Sequence, residues 1–479
     1  AGENGIQTIR SYKKPWPRIK HMAPDILETA QKEIEKNSQD TEDLEIYVVG
    51  GAVRDFLLDK EFNDLDFTVV EESPATMKER GFKEIEAQSF PVFQDSEGNE
   101  IALARRESST GDGYHEFNTE ITNVSIEEDL KRRDFTMNAV AINLDTGVWE
   151  YPVAVERNRD AHSIKDINTG IIRHITDSFE EDPVRILRMA RFASRYPDFE
   201  IAKDTKFKAK RNAEKLEEVP GERIQEEIIK AMEEAEQPTR FFEVLKEVKT
   251  LNYFMPKVAQ FKDVSAGAEK YHEEGDLWSH TMMTIKEAHK IDPNNANLLL
   301  MALVHDIGKV ETQDEENSGG HDMLGIPLIE EMSYRLKFSN ELEEKLVDAS
   351  RHHMRIHNTP LKADDSMREK TVIDFVQKIN RGKGATIDEL LKLCEADARG
   401  REPEQDIDKE GIKQRLAVAQ EAIDEVDASY SARKRGGIIE DFEGEALGQM
   451  VTQDRIEYMR DRQEIVGDGF LEQIKKKYF

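Results

Sequence analysis

The sequence predicts a multidomain chain with an α/β region near its N-terminus and an all-α remainder, and three observations carry that expectation. Between Ile46 and Gly147, short β-rich runs (IYVVGG, DFTVV, EIALARR and VAINL) are broken by glycine and polar turns. Beyond Val148, PVRILRMARFASRY and ERIQEEIIKAMEEA repeat apolar residues at three and four positions, the period of a buried helix face. The chain has 479 residues, enough for about three domains of ordinary size.

Taken in order, residues 1–45 form a polar extension with a Pro-Trp-Pro kink at Pro15 to Pro17 and a helical pattern, DILETAQKEIEK. Residues 46–147 form the α/β region, and residues 148–266 read as helical. Residues 267–401 read as a second helical region that holds eight of the twelve histidines, His272 to His357. Residues 402–479 form a charged helical tail with a glycine break at Gly436 and Gly437. There is no internal repeat and no long low-complexity segment.

Composition narrows the class. Apolar residues make up 38% of the chain and allow true cores. The one cysteine, Cys394, excludes an intramolecular disulfide and a cysteine zinc site, which suits a reducing cytoplasm. The run LLLMALV, Leu298 to Val304, is far short of the roughly 20 residues that span a bilayer, so no membrane association is expected. Basic residues near the N-terminus have no apolar block behind them and do not read as a secretory signal. A formal charge of −31 argues against nonspecific coating of nucleic acid, though not against a local basic site. KFKAKR at Lys206 to Arg211, KRR at Lys131 to Arg133 and SARKRGG at Ser431 to Gly437 are the candidates, each readable as an RNA contact or as a solvated helix end.

The stretch VVGGAVRDFLLDKEFNDLDFTVV, Val48 to Val70, concentrates chemistry. Gly50 and Gly51 follow an apolar run and precede a helix start, so backbone could approach a phosphate closely and offer it N–H groups. Arg54 supplies a fork for phosphate oxygens. Asp64 and Asp66 alternate with Leu65, Phe67 and Val69, so in a strand both carboxylates leave one face. Two carboxylates so placed are either a solvated acidic edge or hard oxygen ligands for Mg²⁺, which takes few carboxylates plus substrate phosphates.

GGAVRD followed by NDLDF, then EIALARRE, GDGYHEF, EEDLKRRDFTMNAVA and EDPVRILRMARFASRY resembles the class II family of bacterial tRNA CCA-adding enzymes and related poly(A) polymerases, in motif order and approximate spacing. The resemblance is strong from Ile46 to Tyr196 and weaker to about residue 465. It implies a polymerase β-like nucleotidyltransferase head with a mixed sheet at 46–147, a helical, RNA-binding neck and body at 148–266, an HD domain at 267–401 and a helical tail. It implies that Asp64 and Asp66 are catalytic and hold Mg²⁺, and that Gly50, Gly51, Arg54 and Arg133 contact the nucleotide. SSTGDGYHEF matches the family's mobile loop. Glu100 reads as an aid to the metal or as an exposed strand acid, and Asn138 as a residue that fixes the local fold. Asp182 and Arg185, three apart on an expected helix, share a face. Cytosine and adenine both offer an exocyclic amine beside a ring-nitrogen acceptor, which a carboxylate and a guanidinium match; uracil and guanine present the reverse. The resemblance makes this pair the protein template. Arg188 is implied as a further nucleotide contact, with an ion pair to Asp182 or Glu181 as the plainer reading.

LLLMALVHDIGK sets His305 and Asp306 at the end of an apolar helix, with His280 upstream, His321, His352 and His353 further on, and Asp397 in LCEADARGR. The order His, His-Asp, distant Asp resembles the HD phosphohydrolase superfamily, which implies a divalent transition metal on His280, His305, Asp306 and Asp397, with His321 and His353 as auxiliary ligands. The metal's identity is not readable. Poly(A) polymerases of the group generally lack such a domain, so its presence favours tRNA, CTP and ATP as partners. It implies hydrolysis of phosphomonoesters or 2′,3′-cyclic phosphates. A poly(A) polymerase, a partial CC- or A-adding enzyme, an HD hydrolase or RNA-binding protein with an inactive head, and a helical domain kept only for tRNA docking remain open, as does oligomeric state.

Overall fold

The structure, a computed structural model, describes residues 24–35, 43–62, 65–85, 91–95, 98–109, 117–121, 123–155, 158–267, 272–312, 320–357, 369–403, 407–435 and 445–465. The chain divides into two compact units, Ala1–Val219 with Glu243–Thr250 and Pro220–Phe242 with Leu251–Phe479. Asp64, the Pro-Trp-Pro kink, most of the SSTGDGYHEF loop, and Gly436 and Gly437 lie outside the described residues.

In the first unit, β1 (Ile46–Val49), β2 (Asp66–Val69), β3 (Lys83–Glu84), β4 (Val92–Gln94), β5 (Glu100–Leu103), β6 (Arg106–Ser109), β7 (Phe117–Glu120), β8 (Ala141–Asn143) and β9 (Trp149–Glu150) follow in chain order. Seven of them form one mixed sheet in the order β3-β4-β5-β2-β1-β8-β9, and β6 pairs with β7 as a separate hairpin. β2 lies parallel to β5 and antiparallel to β1, with Val49 opposite Asp66 and Phe67 opposite Ile101. The alternation expected of β2 holds only at its first residue. Asp66 is exposed, whereas Thr68 is 2% exposed along with buried Phe67 and Val69, because the middle strand of seven is covered on both faces. Tyr47, Val49, Val70, Ala104 and Ala141 pack with Val124, Ile126 and Leu130 under the helix Ile126–Lys131. A capping box closes that helix at Ser125 and Glu128.

The segment after Val148, expected to be helical, also contains short strand pairs. Val153–Val155 pairs with Asn158–His162, and Ile171–Ile172 runs parallel to Glu200–Ile201. Strands of two to five residues are too short to show periodicity. PVRILRMARFASRY forms the helix Val184–Arg195, with Ile186, Leu187, Met189, Ala190 and Ala193 buried. Asp182 stands just before its first turn, and its carbonyl accepts the Arg185 N–H at 3.1 Å. Pro183 disfavours helical backbone at the residue it follows, and the Asp182 carboxylate accepts the Val184 N–H at 3.1 Å.

The second unit is helical in every described element. Ala296–Val304, the ANLLLMALV run, is buried on all sides and capped by Asn295, whose side chain accepts the Leu298 N–H. It packs against Gly221–Glu234, Leu277–Ile291, Asn340–His357 and Ile387–Arg399. A helix apolar all round is the centre of a bundle. The tail pattern forms Lys409–Arg435 and Glu445–Ile465, which pack together. Among the described residues no helix is long and apolar enough to cross a membrane.

Gly308, in the short 3₁₀ turn Ile307–Glu311 after His305 and Asp306, allows the helix His321–Leu336 to approach. A Cβ at Gly308 would collide with the His321 carbonyl and lie 2.6 Å from the Gly325 nitrogen. Gly308→Ala is therefore expected to cost about 1–3 kcal/mol of overpacking. The shift of the urea midpoint measures it; an unchanged midpoint would mean that these helices have room to part.

Candidate active sites

In the first unit the site is built where β1 ends. Gly50 has φ +72°, a conformation that disfavours any other residue, and its N–H donates to the Val140 carbonyl at 3.2 Å. Its missing side chain matters as well. A Cβ there would lie 3.2 Å from Arg133 Nη1 and 3.5 Å from Asp66 Oδ2, so an acidic and a basic group converge over this step. Helix Gly51–Leu57 begins directly after it. Glu100 opens β5, one position before the Ile101 that pairs with Phe67, and so stands at the same strand end as Asp66.

Behind these groups lies a buried polar chain. The Arg133 guanidinium donates to Asp129 Oδ2 at 3.1 Å and, through Nη1, to the Asn138 carbonyl at 3.4 Å. Asp129 is buried and also binds Arg132 and the Arg105 N–H. Burial opposes its charge, but the Arg132 and Arg133 guanidinium groups hold its carboxyl below the usual range. The Arg54 fork, expected to meet phosphate, is engaged in part within the protein. Arg54 is 4% exposed, donates to both Asp55 oxygens at 2.9 and 3.0 Å and to Asn138 Oδ1 at 2.6 Å, and lies over the rings of Tyr196 and Phe192. Asn138 donates in turn to Asp134 Oδ1 at 3.0 Å.

The helix Val184–Arg195 closes this chain. Arg188 Nε donates to Asp134 Oδ2 at 2.7 Å, a partner that its plainer reading did not name. Arg185 donates to the Arg132 carbonyl at 2.6 Å and to Ser178 Oγ at 3.2 Å. Tyr196 donates its hydroxyl to Asp55 at 2.7 Å. Asp129 and Asp134 were not foreseen as parts of the site. Their place within KRRD and EEDLKRR was visible, but their arginine partners were not assigned.

In the second unit, the histidines and aspartates from five segments meet at Asp306. His280 comes from Leu277–Ile291, His305 and Asp306 from the end of Ala296–Val304, His321 from the start of His321–Leu336, His353 from Asn340–His357 and Asp397 from Ile387–Arg399. All six are buried. His280 Nε2 lies 3.0 Å from Asp397 Oδ1, 3.4 Å from His305 Nε2 and 3.7 Å from Asp306 Oδ2. The other Asp306 oxygen, Oδ1, is 3.1 Å from His321 Nε2 and 3.3 Å from His353 Nε2, whose nitrogens are 3.3 Å apart. One carboxylate thus faces two clusters that could each hold an ion, His280/His305/Asp397 and Asp306/His321/His353.

The surroundings orient the ligands. His305 Nδ1 points at the Ala302 carbonyl (2.9 Å) and His353 Nδ1 at that of Ser350 (2.8 Å), leaving each Nε2 inward. Lys309 Nζ donates to Asp306 Oδ2 at 2.6 Å and to the Ala266 carbonyl at 2.5 Å, and Arg401 donates to Asp397 Oδ2 at 2.7 Å. Burial opposes a charged His305, yet Asp306 and Asp397 outweigh it and push the imidazole up to about 10. The imidazole-carboxylate donor set fits a divalent cation. His352, beside His353, is buried against Phe375 and does not join the cluster. Cys394 is buried here, its thiol pushed up by burial and donating to the His353 carbonyl at 3.2 Å.

Comparison with known proteins gives three family matches: the poly A polymerase head domain over residues 46–173, the probable RNA and SrmB-binding site of polymerase A over 198–262, and the HD domain over 277–409. A multifunctional CCA protein of Shewanella frigidimarina is 37% identical over 367 residues, 75% of this chain and 84% of that one. One from Burkholderia multivorans is 35% identical over 403 residues, 82% and 94% of the two chains. A solved apo CCA-adding enzyme superposes with a TM-score of 0.59 at 19% identity, covering 98% of this chain and 97% of its own. A CCA-adding enzyme in complex with CTP gives 0.59 at 19% identity and 97% of each chain, and the likeness is one of fold.

Asp134 offers a pH test of the buried chain. Burial opposes its charge, but Arg188, Asn138 and Arg185 lower its carboxyl from the ordinary 3.8 to about 2. A depressed carboxyl contributes stability above its unfolded value, and the contribution is lost as pH falls through the folded one. Asp134→Asn should therefore destabilise by about 2 kcal/mol at pH 7. Urea unfolding at pH 7 and pH 3 should show the deficit shrinking at the lower pH; an equal deficit at both would remove the ion pair as its source.

Proposed function

The chain belongs to the multifunctional CCA protein family, and from that premise we propose that it adds CMP and AMP, from CTP and ATP, to tRNA 3′ ends without a nucleic-acid template. The observation that carries this reading is the convergence of Asp66 and Arg133 over the side-chain-free step at Gly50. We assign Asp66, with Asp64, to holding Mg²⁺, Gly50 and Gly51 to admitting the triphosphate, and Arg133 to meeting its charge. Magnesium bound there would activate the tRNA hydroxyl and neutralise the departing pyrophosphate. Arg54, held in place by Asp55 and Asn138, is assigned to steadying the triphosphate with its remaining donors. Asp182 and Arg185 are assigned to reading the base edge, and Arg188, anchored on Asp134, to steadying their helix. The same proposal keeps the head from 46, extended from 147 to take in the Trp149–Glu150 strand of its sheet, followed by the neck and body to 266, HD domain at 267–401, tail at 402–479 and a cytoplasmic setting.

For the second unit we propose hydrolysis of phosphomonoesters or 2′,3′-cyclic phosphates at an RNA end. His280, His305, Asp397 and Asp306 would hold one divalent cation, and Asp306 with His321 and His353 a second. Cations there would acidify water and polarise the phosphoryl group. Arg401 holds the outer oxygen of Asp397, and Lys309 braces Asp306 through the oxygen that faces His280 and His305. A reading as a poly(A) polymerase is separated by supplying tRNA that lacks its 3′ end with CTP and ATP, singly and together, and sequencing the products.

Asp66→Ala is expected to abolish nucleotide addition while tRNA binding, measured by filter retention, changes little, because basic phosphate contacts remain. Near-normal addition would remove Asp66 from the chemistry. The double variant His305→Ala/Asp306→Ala should lose phosphohydrolase activity and retain CCA addition. Loss of both activities in a folded variant would mean that the two units do not divide the work.

A further inference from the structure

Glu274 has no place in the ligand set described above, yet it is built into that centre. Its side chain is 2% exposed, and its Oε1 accepts the His272 Nδ1 hydrogen at 2.7 Å and lies 3.2 Å from His280 Nδ1. Its Oε2 accepts the Glu402 N–H at 3.0 Å, while the neighbouring Glu273 N–H donates to the Glu402 carbonyl at 2.7 Å. The carboxylate is thus pinned to the segment that follows the helix of Asp397.

The two nitrogens of His280 face different worlds. Nδ1 meets two acceptors, Glu274 Oε1 and the Gly400 carbonyl, each at 3.2 Å. Nε2 points to Asp397, His305 and Asp306. The Gly400 carbonyl can only accept, so Nδ1 carries the proton there, and a cation in the cluster would meet the Nε2 lone pair. His305, His353 and His280 all satisfy Nδ1 with main-chain carbonyls, and of the three His280 also has a carboxylate beside that nitrogen, 3.2 Å away. A carboxylate partner raises the donor strength of an imidazole and locks its ring orientation. The His272 ring stands edge-on to His280, with centroids 5.0 Å apart, and holds Glu274 from its other side.

We propose that Glu274 is a positioning residue for the cation centre of the second unit: it fixes the proton of His280 on Nδ1, aims Nε2 inward and strengthens that nitrogen as a ligand. The proposal rests on the reading of that centre as a cation site, and one titration separates the two. Metal-stripped full-length protein is titrated with Co²⁺ alone, followed by calorimetry and by the visible absorption of the bound ion. The comparison includes Glu274→Gln, Glu274→Asp and the double variant His305→Ala/Asp306→Ala.

Glu274→Gln keeps the shape and removes the charge, so Co²⁺ affinity should fall about 10–100-fold and the absorption band should shift. The urea midpoint of the metal-free protein should hold. Glu274→Asp, which keeps the charge but withdraws it, should fall between wild type and Gln. Wild-type affinity and spectrum in Glu274→Gln would overturn the proposal while leaving the cation site intact. So would a loss of affinity that tracks a lowered metal-free midpoint, since that would make Glu274 merely structural. Failure of the wild type to bind Co²⁺ more tightly than the double variant would overturn the cation-site reading itself.

Discussion

A carboxylate taken out of water has to be met by donors on every side, and much of this molecule is arranged around that demand. In the first unit Asp134 collects the Phe135 N–H, the Asn138 amide and the Arg188 guanidinium. Those contacts join the turn after Ile126–Lys131 to Val184–Arg195, and through Asn138 they reach Arg54. In the second unit Asp306 does the equivalent with imidazoles and Lys309. The difference lies in the partners. Guanidinium groups hold their charge at any relevant pH and make a fixed scaffold, whereas imidazoles can exchange a proton for a cation and make a site.

Local order in the chain made part of this legible. Gly50, Gly51 and Asp66 could be placed because strand, turn, helix and next strand follow one another within a few residues. His305, Asp306 and Asp397 were legible because they sit at the ends of strongly patterned helices. What stayed hidden depended on distance. Arg188 meets Asp134 across 54 positions, and Arg54 meets Asn138 across 84. No periodicity announces such a pair, so Arg54 read as a fork without the protein partners that hold part of it. Glu274 read as one more acid in a chain of 99 acidic residues. The strand pairs after Val148 were missed because each is shorter than the window in which alternation can be recognised.

The acidity of the chain also bears on its candidate basic patches. In KFKAKR, Lys206 binds Glu247, and Lys208 and Arg211 both bind Glu180. In KRR, Lys131 pairs with Glu127, while Arg132 and Arg133 share Asp129. Among the described residues of these two patches, most cations are answered by the protein's own acids, which divides their positive field finely. An acidic enzyme that handles a polyanion this way would have its weak nonspecific binding suppressed and its contacts confined to a few places.

Cys394 gives the chain an unusual experimental handle. It is the single thiol in 479 residues, fully buried and hydrogen-bonded to the backbone of a cluster histidine. Its modification by a thiol reagent requires the surrounding helices to open, so the labelling rate becomes a clock for breathing of that bundle, with no competing signal from any other residue. Cysteines introduced elsewhere would start from a silent background, and paired dyes could follow the movement of chosen segments during successive rounds of nucleotide addition.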